Sequence, residues 1–162
     1  MRLTFAAGGV AALLLATAPA SAATWVTVEL EIEVAATADE TWAAVGADYC
    51  AIEVWLGMGC VLAAGEGGLG SVRVLNERIE EVIVGQGLRS TTYLQTVGSM
   101  AVTNYHGTLS VEPVTETTSR IVYTLIWDED ALEPDRREPS RTNFTAAFQG
   151  ALETMKTLVE GG

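Results

Sequence analysis

Chemistry in this 162-residue chain can start from few places. The stretch DYCAIEVWLGMGC, residues 48–60, holds both cysteines, Cys50 and Cys60, with Trp55 between them. Two sulfurs can be a redox pair, half of a metal site, a nucleophile with a spare, or a disulfide. A C-x-x-C redox pair is excluded because Cys50 and Cys60 stand too far apart in the chain. Arg73 and Glu81 form a second candidate set. A short connection at residues 76–78 would set them opposite one another on one face of a hairpin, close enough for a charge-assisted pair. Facing inward, the pair would be a polar fixture in an apolar wall, able to orient a carbonyl or carboxylate on a ligand. Facing outward, it would be a surface ion pair worth little. The alternation of Val72 and Val74 favours valines inward and Arg73 outward.

His106, the lone histidine, lies between Tyr105 and Gly107 in a strand-like run. If Tyr105, Leu109 and Val111 face inward, alternation turns His106 outward with Asn104 and Thr108, away from a general-base role. With one histidine there is no His-rich zinc site. The acidic run Asp128-Glu129-Asp130, with Glu133 and Asp135 nearby, lacks the D-x-D-x-D-G spacing of a calcium loop and reads as a solvated loop. Lys156 is the only lysine and falls in a helix-patterned segment at the end of the chain, a poor Schiff-base candidate. Neither a metal nor a cofactor is expected.

Charge narrows the partners. The formal net charge is −12, one unit more negative once a leader carrying Arg2 is removed. Nucleic acid and anionic lipid surfaces would be repelled by that field. Arg2 precedes an apolar run that ends in Ala20-Ser21-Ala22, an A-x-A cleavage signal, so residues 1–22 read as a secretory signal peptide. Gly8, Gly9 and Pro19 interrupt the run, and no stable membrane insertion is expected after its removal. Residues 23–162 suit one domain with its own core. The expected location is periplasmic or secreted, and oligomeric state is not readable from this sequence.

The elements that must position these groups follow from periodicity. From residue 24, Val26, Val28, Leu30, Ile32 and Val34 alternate with Thr27, Glu29, Glu31 and Glu33, a half-buried antiparallel strand. Thr37-Ala38-Asp39-Glu40 is a capping box that opens a short helix, and residues 50–56 form a second short helical segment. Strand-like runs follow at 60–64, 69–75, 79–84, 88–96, 102–111 and 120–127, separated by glycine-rich turns. The polar loop 128–139 closes on a proline suited to a helix start. Beyond it Phe144, Phe148, Ala151, Leu152, Met155 and Val159 recur at steps of three and four, an amphipathic helix. The fold class is therefore α+β: a seven-stranded curved antiparallel sheet around a long C-terminal helix, with two short helices after the first strand.

That order is the helix-grip arrangement, and local motifs add to it. Asp39-Glu40-Thr41-Trp42, Asp48-Tyr49-Cys50 with Trp55, Gly70-Ser71-Val72-Arg73, Tyr93, the run at 104–109 and the helix at 144–152 are involved. Together they resemble the START/Bet v1-like superfamily, specifically the polyketide cyclase/dehydrase and lipid-transport group, over essentially the whole chain after the leader. The hairpin between Val74 and Ile79 departs from it in lacking a glycine turn. The resemblance implies a cavity between the long helix and the sheet that takes a small hydrophobic molecule such as a lipid, sterol or polyketide. Tyr93, Tyr105, Trp127, Phe144, Phe148, Arg73 and Glu81 are the residues expected to line it, with Tyr105 foremost because a phenol in an apolar wall seeks a polar partner.

Two functions remain open. One is non-catalytic binding or carriage; the other is a cofactor-independent cyclase or dehydratase using Tyr105, Arg73, Glu81 or His106 to polarise a carbonyl or move a proton. A third, docking of a partner through the loop 128–139, has less to support it. For the cysteines, export and their placement at a helix start and the following strand favour a structural disulfide. Closing that loop is worth about 2.7 kcal/mol in the chain-entropy model.

Overall fold

The computed structural model describes residues 22–161. The leader reading thus falls outside the described residues, Ala22 excepted. In chain order the elements are β1 (Trp25–Val34), α1 (Ala38–Val45), α2 (Ile52–Leu56), β2 (Cys60–Ala64), β3 (Val72–Leu75), β4 (Ile79–Gly87), β5 (Ser90–Val97), β6 (His106–Pro113), β7 (Ser119–Asp128) and α3 (Pro134–Glu160). Short 3-10 turns occupy Ala101–Thr103 and Glu129–Ala131. The strands make one antiparallel sheet in the order β1-β7-β6-β5-β4-β3-β2, the helix-grip arrangement expected from sequence.

β1 runs beside β7 from Trp25↔Asp128 to Val34↔Ser119. Its alternate residues face the core, with Val26 and Val34 buried and Val28, Leu30 and Ile32 packed against the buried cluster. Because β1 and β2 lie on opposite edges, α1 and α2 must carry the chain from one edge to the other. α1 begins in the capping box, with Thr37 N–H donating to Glu40 Oε2 at 3.0 Å and Glu40 N–H returning to the Thr37 hydroxyl. α2 stops at Gly57, whose φ of 68° lies in the left-handed region that a Cβ disfavours.

The β3–β4 hairpin turns without glycine. Asn76 and Glu77 both take positive φ, 48° and 60°, and Arg78 N–H donates to the Leu75 carbonyl at 3.1 Å. Two consecutive left-handed residues are the backbone of a type I′ turn. This register sets Arg73 directly opposite Glu81.

Several expected boundaries shift; β4 runs on to Gly87 and β5 starts only at Ser90. The run at 69–75 becomes a strand only from Val72, because Gly70 turns at φ 82°. The run at 102–111 is a strand only from His106, since residues 101–103 form a 3-10 turn closed by left-handed Asn104. α3 begins at Pro134 rather than at Pro139. Pro134 occupies a first-turn position where no amide is missed. Pro139 lies inside the helix and gives up the bond its N–H would have made to the Asp135 carbonyl.

α3 packs on β1 and β7 and against α1 and α2. Phe148, Ala151, Leu152 and Met155 are buried, and Phe144 and Val159 continue the same stripe. Among the described residues no helix is long and apolar enough to cross a membrane.

Candidate functional site

Arg73 and Glu81 point inward, each only 3 % exposed. The valine alternation predicted the opposite. Val72 and Val74 lie half-buried on the outer face of the sheet, in register with Val82 and Val61. An apolar strip on the outer face therefore mimicked a core-facing one. Arg73 Nε and Nη2 donate to one carboxylate oxygen, Glu81 Oε2, at 2.8 and 2.6 Å, while Nη1 donates to the Tyr49 carbonyl at 2.6 Å. The guanidinium also lies 4.2 Å from the ring centre of Tyr49 and 4.8 Å from that of Tyr93, within cation–π range. Burial pushes the Glu81 carboxyl above its ordinary value, against the pull of Arg73 and of the Gln95 amide. Burial is the largest influence on Arg73 and works to discharge it, but the Glu81 carboxylate together with the surrounding tyrosines more than offsets it, and the guanidinium stays charged.

The disulfide fixes what lies over this pair. Cys50 and Cys60 are bonded, their Cα atoms 5.5 Å apart. The bridge clips the segment between α1 and α2 to β2, immediately after Tyr49 supplies its carbonyl and ring to Arg73. Trp55 fills the closed loop; its indole N–H donates to the Val45 carbonyl at 3.1 Å and its ring meets Tyr123 edge-on at 5.9 Å.

The tyrosines form a neutral wall. Tyr93 and Tyr123 share a hydrogen bond of 3.0 Å between hydroxyls. Tyr93 reaches it by crossing Gly107 on β6, where a Cβ would stand 2.2 Å from the Tyr93 hydroxyl, so no larger residue fits without moving that ring. Tyr105 stacks on Phe144 with ring centres 5.2 Å apart. Burial raises the pKa of Tyr93, Tyr105 and Tyr123, so all three stay protonated near neutrality and act as hydrogen-bonding groups, not as bases.

Between α3, α2 and strands β3–β5 lies a cavity of about 320 Å³. Its apolar wall includes Ile52, Leu56, Met58, Leu75, Ile79, Met100, Phe144 and Phe148; Glu81, Gln95, Ser99, Tyr93 and Tyr105 supply its polar groups. Only one member of the ion pair reaches it. Arg73 instead borders a water-sized gap of about 20 Å³ on the other side, shared with Tyr49 and Tyr93. The volume is near the lower end of small-molecule pockets, about 300–1,000 Å³. The cavity adjoins an outer recess that shares Met58, Ile79 and Ser99 with it and carries Arg78.

Of the residues expected in the wall, Glu81, Tyr93, Tyr105, Phe144 and Phe148 are there. Trp127 is not among them: it is fully buried behind Phe144, ring centres 5.8 Å apart, as a core residue. His106 takes the outward position, its Nδ1–H donating to the Asn104 carbonyl at 2.6 Å. Lys156 Nζ donates to the Glu33 carbonyl at 2.7 Å, tying α3 to β1. The acidic run is spent on local structure. Asp128 caps the second 3-10 turn, Glu129 pairs with Arg141, and Asp130 accepts from the Thr24 N–H at 3.1 Å. Gln95, Met58 and Met100 were not anticipated. Gln95 was findable, since it stands two residues from Tyr93 on one strand and so shares its face; the methionines lie in loops, where periodicity says nothing.

Over residues 26–160 the sequence matches the family described as polyketide cyclase / dehydrase and lipid transport. The chain belongs to this family. No curated protein matches it significantly by sequence. Solved structures of this fold are numerous. A solution structure of a protein from Thermobifida fusca is 22 % identical, with 83 % of this chain and 95 % of that one covered and a TM-score of 0.67. Truncated norcoclaurine synthase from Thalictrum flavum is 17 % identical, with coverages of 86 % and 96 % and a TM-score of 0.66. Ara h 8.0201 is 16 % identical, with coverages of 84 % and 98 % and a TM-score of 0.62. At these identities the family's fold is what is shared.

Proposed function

We propose that this protein binds or carries a small hydrophobic molecule in the cavity beneath α3, without transforming it. The observation that carries this reading is the cavity itself: apolar and aromatic over most of its wall, with a few buried polar groups grouped on β4 and β5. Tyr93, Tyr105, Phe144, Phe148 and Glu81 are assigned to the ligand, with Arg73 behind Glu81. The volume suits a compact molecule of one to a few rings better than a long-chain lipid. We further propose that residues 1–22 are an export leader and that the domain works in the periplasm or outside the cell, a reading supported by the Cys50–Cys60 bond. The neutral fluorophore N-phenyl-1-naphthylamine provides the test. Saturable binding that is competed by other apolar compounds supports the assignment, and absence of binding by this and by extracted native ligands removes it.

One observation favours a second reading, a cyclase- or dehydratase-type enzyme. Glu81 faces the cavity with its carboxyl pKa raised, a property of acid–base groups. Norcoclaurine synthase from Thalictrum flavum, which has the same fold, has been crystallised with dopamine and hydroxybenzaldehyde. On this reading Glu81→Gln or Tyr105→Phe abolishes turnover of a substrate while binding persists. Variants that all keep their turnover exclude it.

A further inference from the structure

The cavity is not indifferent to the polar group of its occupant. The ion pair is split between two compartments: Glu81 faces the cavity, while Arg73 faces the water-sized gap behind it. Both Arg73 bonds to the carboxylate end on Oε2, at 2.8 and 2.6 Å, so neither cationic bond occupies Oε1. Gln95 beside it is held by its own carbonyl oxygen, which accepts the Met100 N–H at 2.9 Å, while its amide also bonds the Glu81 carboxylate. An ionised carboxylate has about four acceptor positions, so these three donors leave room for one more. An occupant therefore meets a hydrogen-bond acceptor whose negative charge is already balanced.

Resting on the binding function proposed above, we propose that Glu81 is the specificity-determining residue of the cavity. It selects ligands that present a neutral O–H or N–H donor from an otherwise apolar, ring-sized body. Arg73 is a positioning residue that makes this selection charge-neutral. An anionic ligand group would face the carboxylate and leave a net negative charge in an apolar enclosure. An ammonium group would make a strong bond, yet Arg73 has already neutralised the site, so a net positive charge would be buried without compensation. A neutral hydroxyl uses the remaining acceptor capacity and adds no charge. A ligand lacking a donor fills the same space but forgoes that bond.

Four probes with one ring system separate these cases: 2-naphthol, 2-methoxynaphthalene, 2-naphthoate and 2-naphthylmethylammonium, titrated into the purified protein at neutral pH by calorimetry. The expected result is that 2-naphthol binds at least about tenfold more tightly than 2-methoxynaphthalene, the step for a hydrogen bond to a charged acceptor, and that both ions bind more weakly than 2-naphthol. In the double variant Arg73→Met with Glu81→Leu, which leaves no charge stranded, 2-naphthol should fall to the level of 2-methoxynaphthalene. If the double variant does not fold, the wild-type series decides alone. Equal binding of 2-naphthol and 2-methoxynaphthalene, or tightest binding of either ion, overturns the selection by Glu81 and leaves the cavity function standing. Failure of all four to bind overturns both.

Discussion

The inner face of the sheet has two halves built on different principles. Over β1, β6 and β7 it is a solid core: Ile121, Leu125 and Trp127 of β7 share one buried cluster with Leu152 and Met155 of α3, and none of these five is measurably exposed. Over β3, β4 and β5 the same face carries Arg73, Glu81 and Gln95, and a cavity replaces the packing. The difference comes from the seat of α3. It rests on β1 and β7 and leans on α1 and α2, so its side chains fill one half and only bridge the other. Stability is concentrated where the helix touches the sheet. Ligand space exists where it does not.

Substitutions in each half should break this contrast or sharpen it. The largest effect is expected from Glu81→Ala, which strands the Arg73 guanidinium in a buried site where it cannot discharge, at a cost of about 3–5 kcal/mol in urea denaturation. The double change Arg73→Met with Glu81→Leu should recover most of that loss. If the double variant is no more stable than the single, the pair is not isolated from water. In the solid half, Leu152→Ala should cost about 2–5 kcal/mol, because the surrounding core collapses only partly into the space left. Met58→Ala, on the cavity rim, should cost less than about 1 kcal/mol, since the side chain is only half-buried and borders space already open. Similar losses for the two would mean that the halves are packed alike.

Removing the disulfide by Cys50→Ser with Cys60→Ser should cost about 2.7 kcal/mol on the loop-entropy model. Because the bridge anchors Tyr49 over Arg73, ligand affinity should fall along with stability. A variant that loses stability but keeps full affinity would confine the bridge to a staple role.

The smallest effect is a pH dependence. Burial holds the Glu81 carboxyl above its unfolded value of 4.5, so its protonation favours folding. That contribution is complete below pH 4.5 and is lost as pH rises through the folded value. Exposed Glu40, Asp130 and Glu160 have lowered values, and their contributions run the other way, present above their unfolded values and lost as pH falls. Comparing the protein with Glu81→Gln cancels those shared terms. The stability of wild type relative to the variant should decline as pH rises from 4.5; a flat difference would show that Arg73 fully offsets the burial.

Much of this architecture was legible because its causes are local. The alternation of β1, the capping box at Thr37, the Arg73–Glu81 register and the stripe of α3 each depend on residues within a few positions of one another. The direction of Arg73 was not legible. Val72 and Val74 do sit on an apolar strip, but it is the outer one, and a strand with semi-apolar faces on both sides gives alternation no way to choose. Trp127 misled for a related reason, since a large aromatic on the inward face belongs equally to core and to wall until the seat of the helix is known. The cavity is a property of that seat, set by contacts between residues far apart in sequence.

The central claim, that the space beneath α3 is a ligand site, is tested most directly by plugging it. Ala147 is exposed on α3 yet borders the cavity, so Ala147→Trp adds bulk there while touching little of the core. Titrating N-phenyl-1-naphthylamine into both proteins, with denaturation curves to confirm folding, reads the result. The account predicts saturable binding to the wild type and at least about a tenfold loss in the folded variant, the equivalent of about 1.4 kcal/mol. Undiminished binding to the folded variant would contradict it.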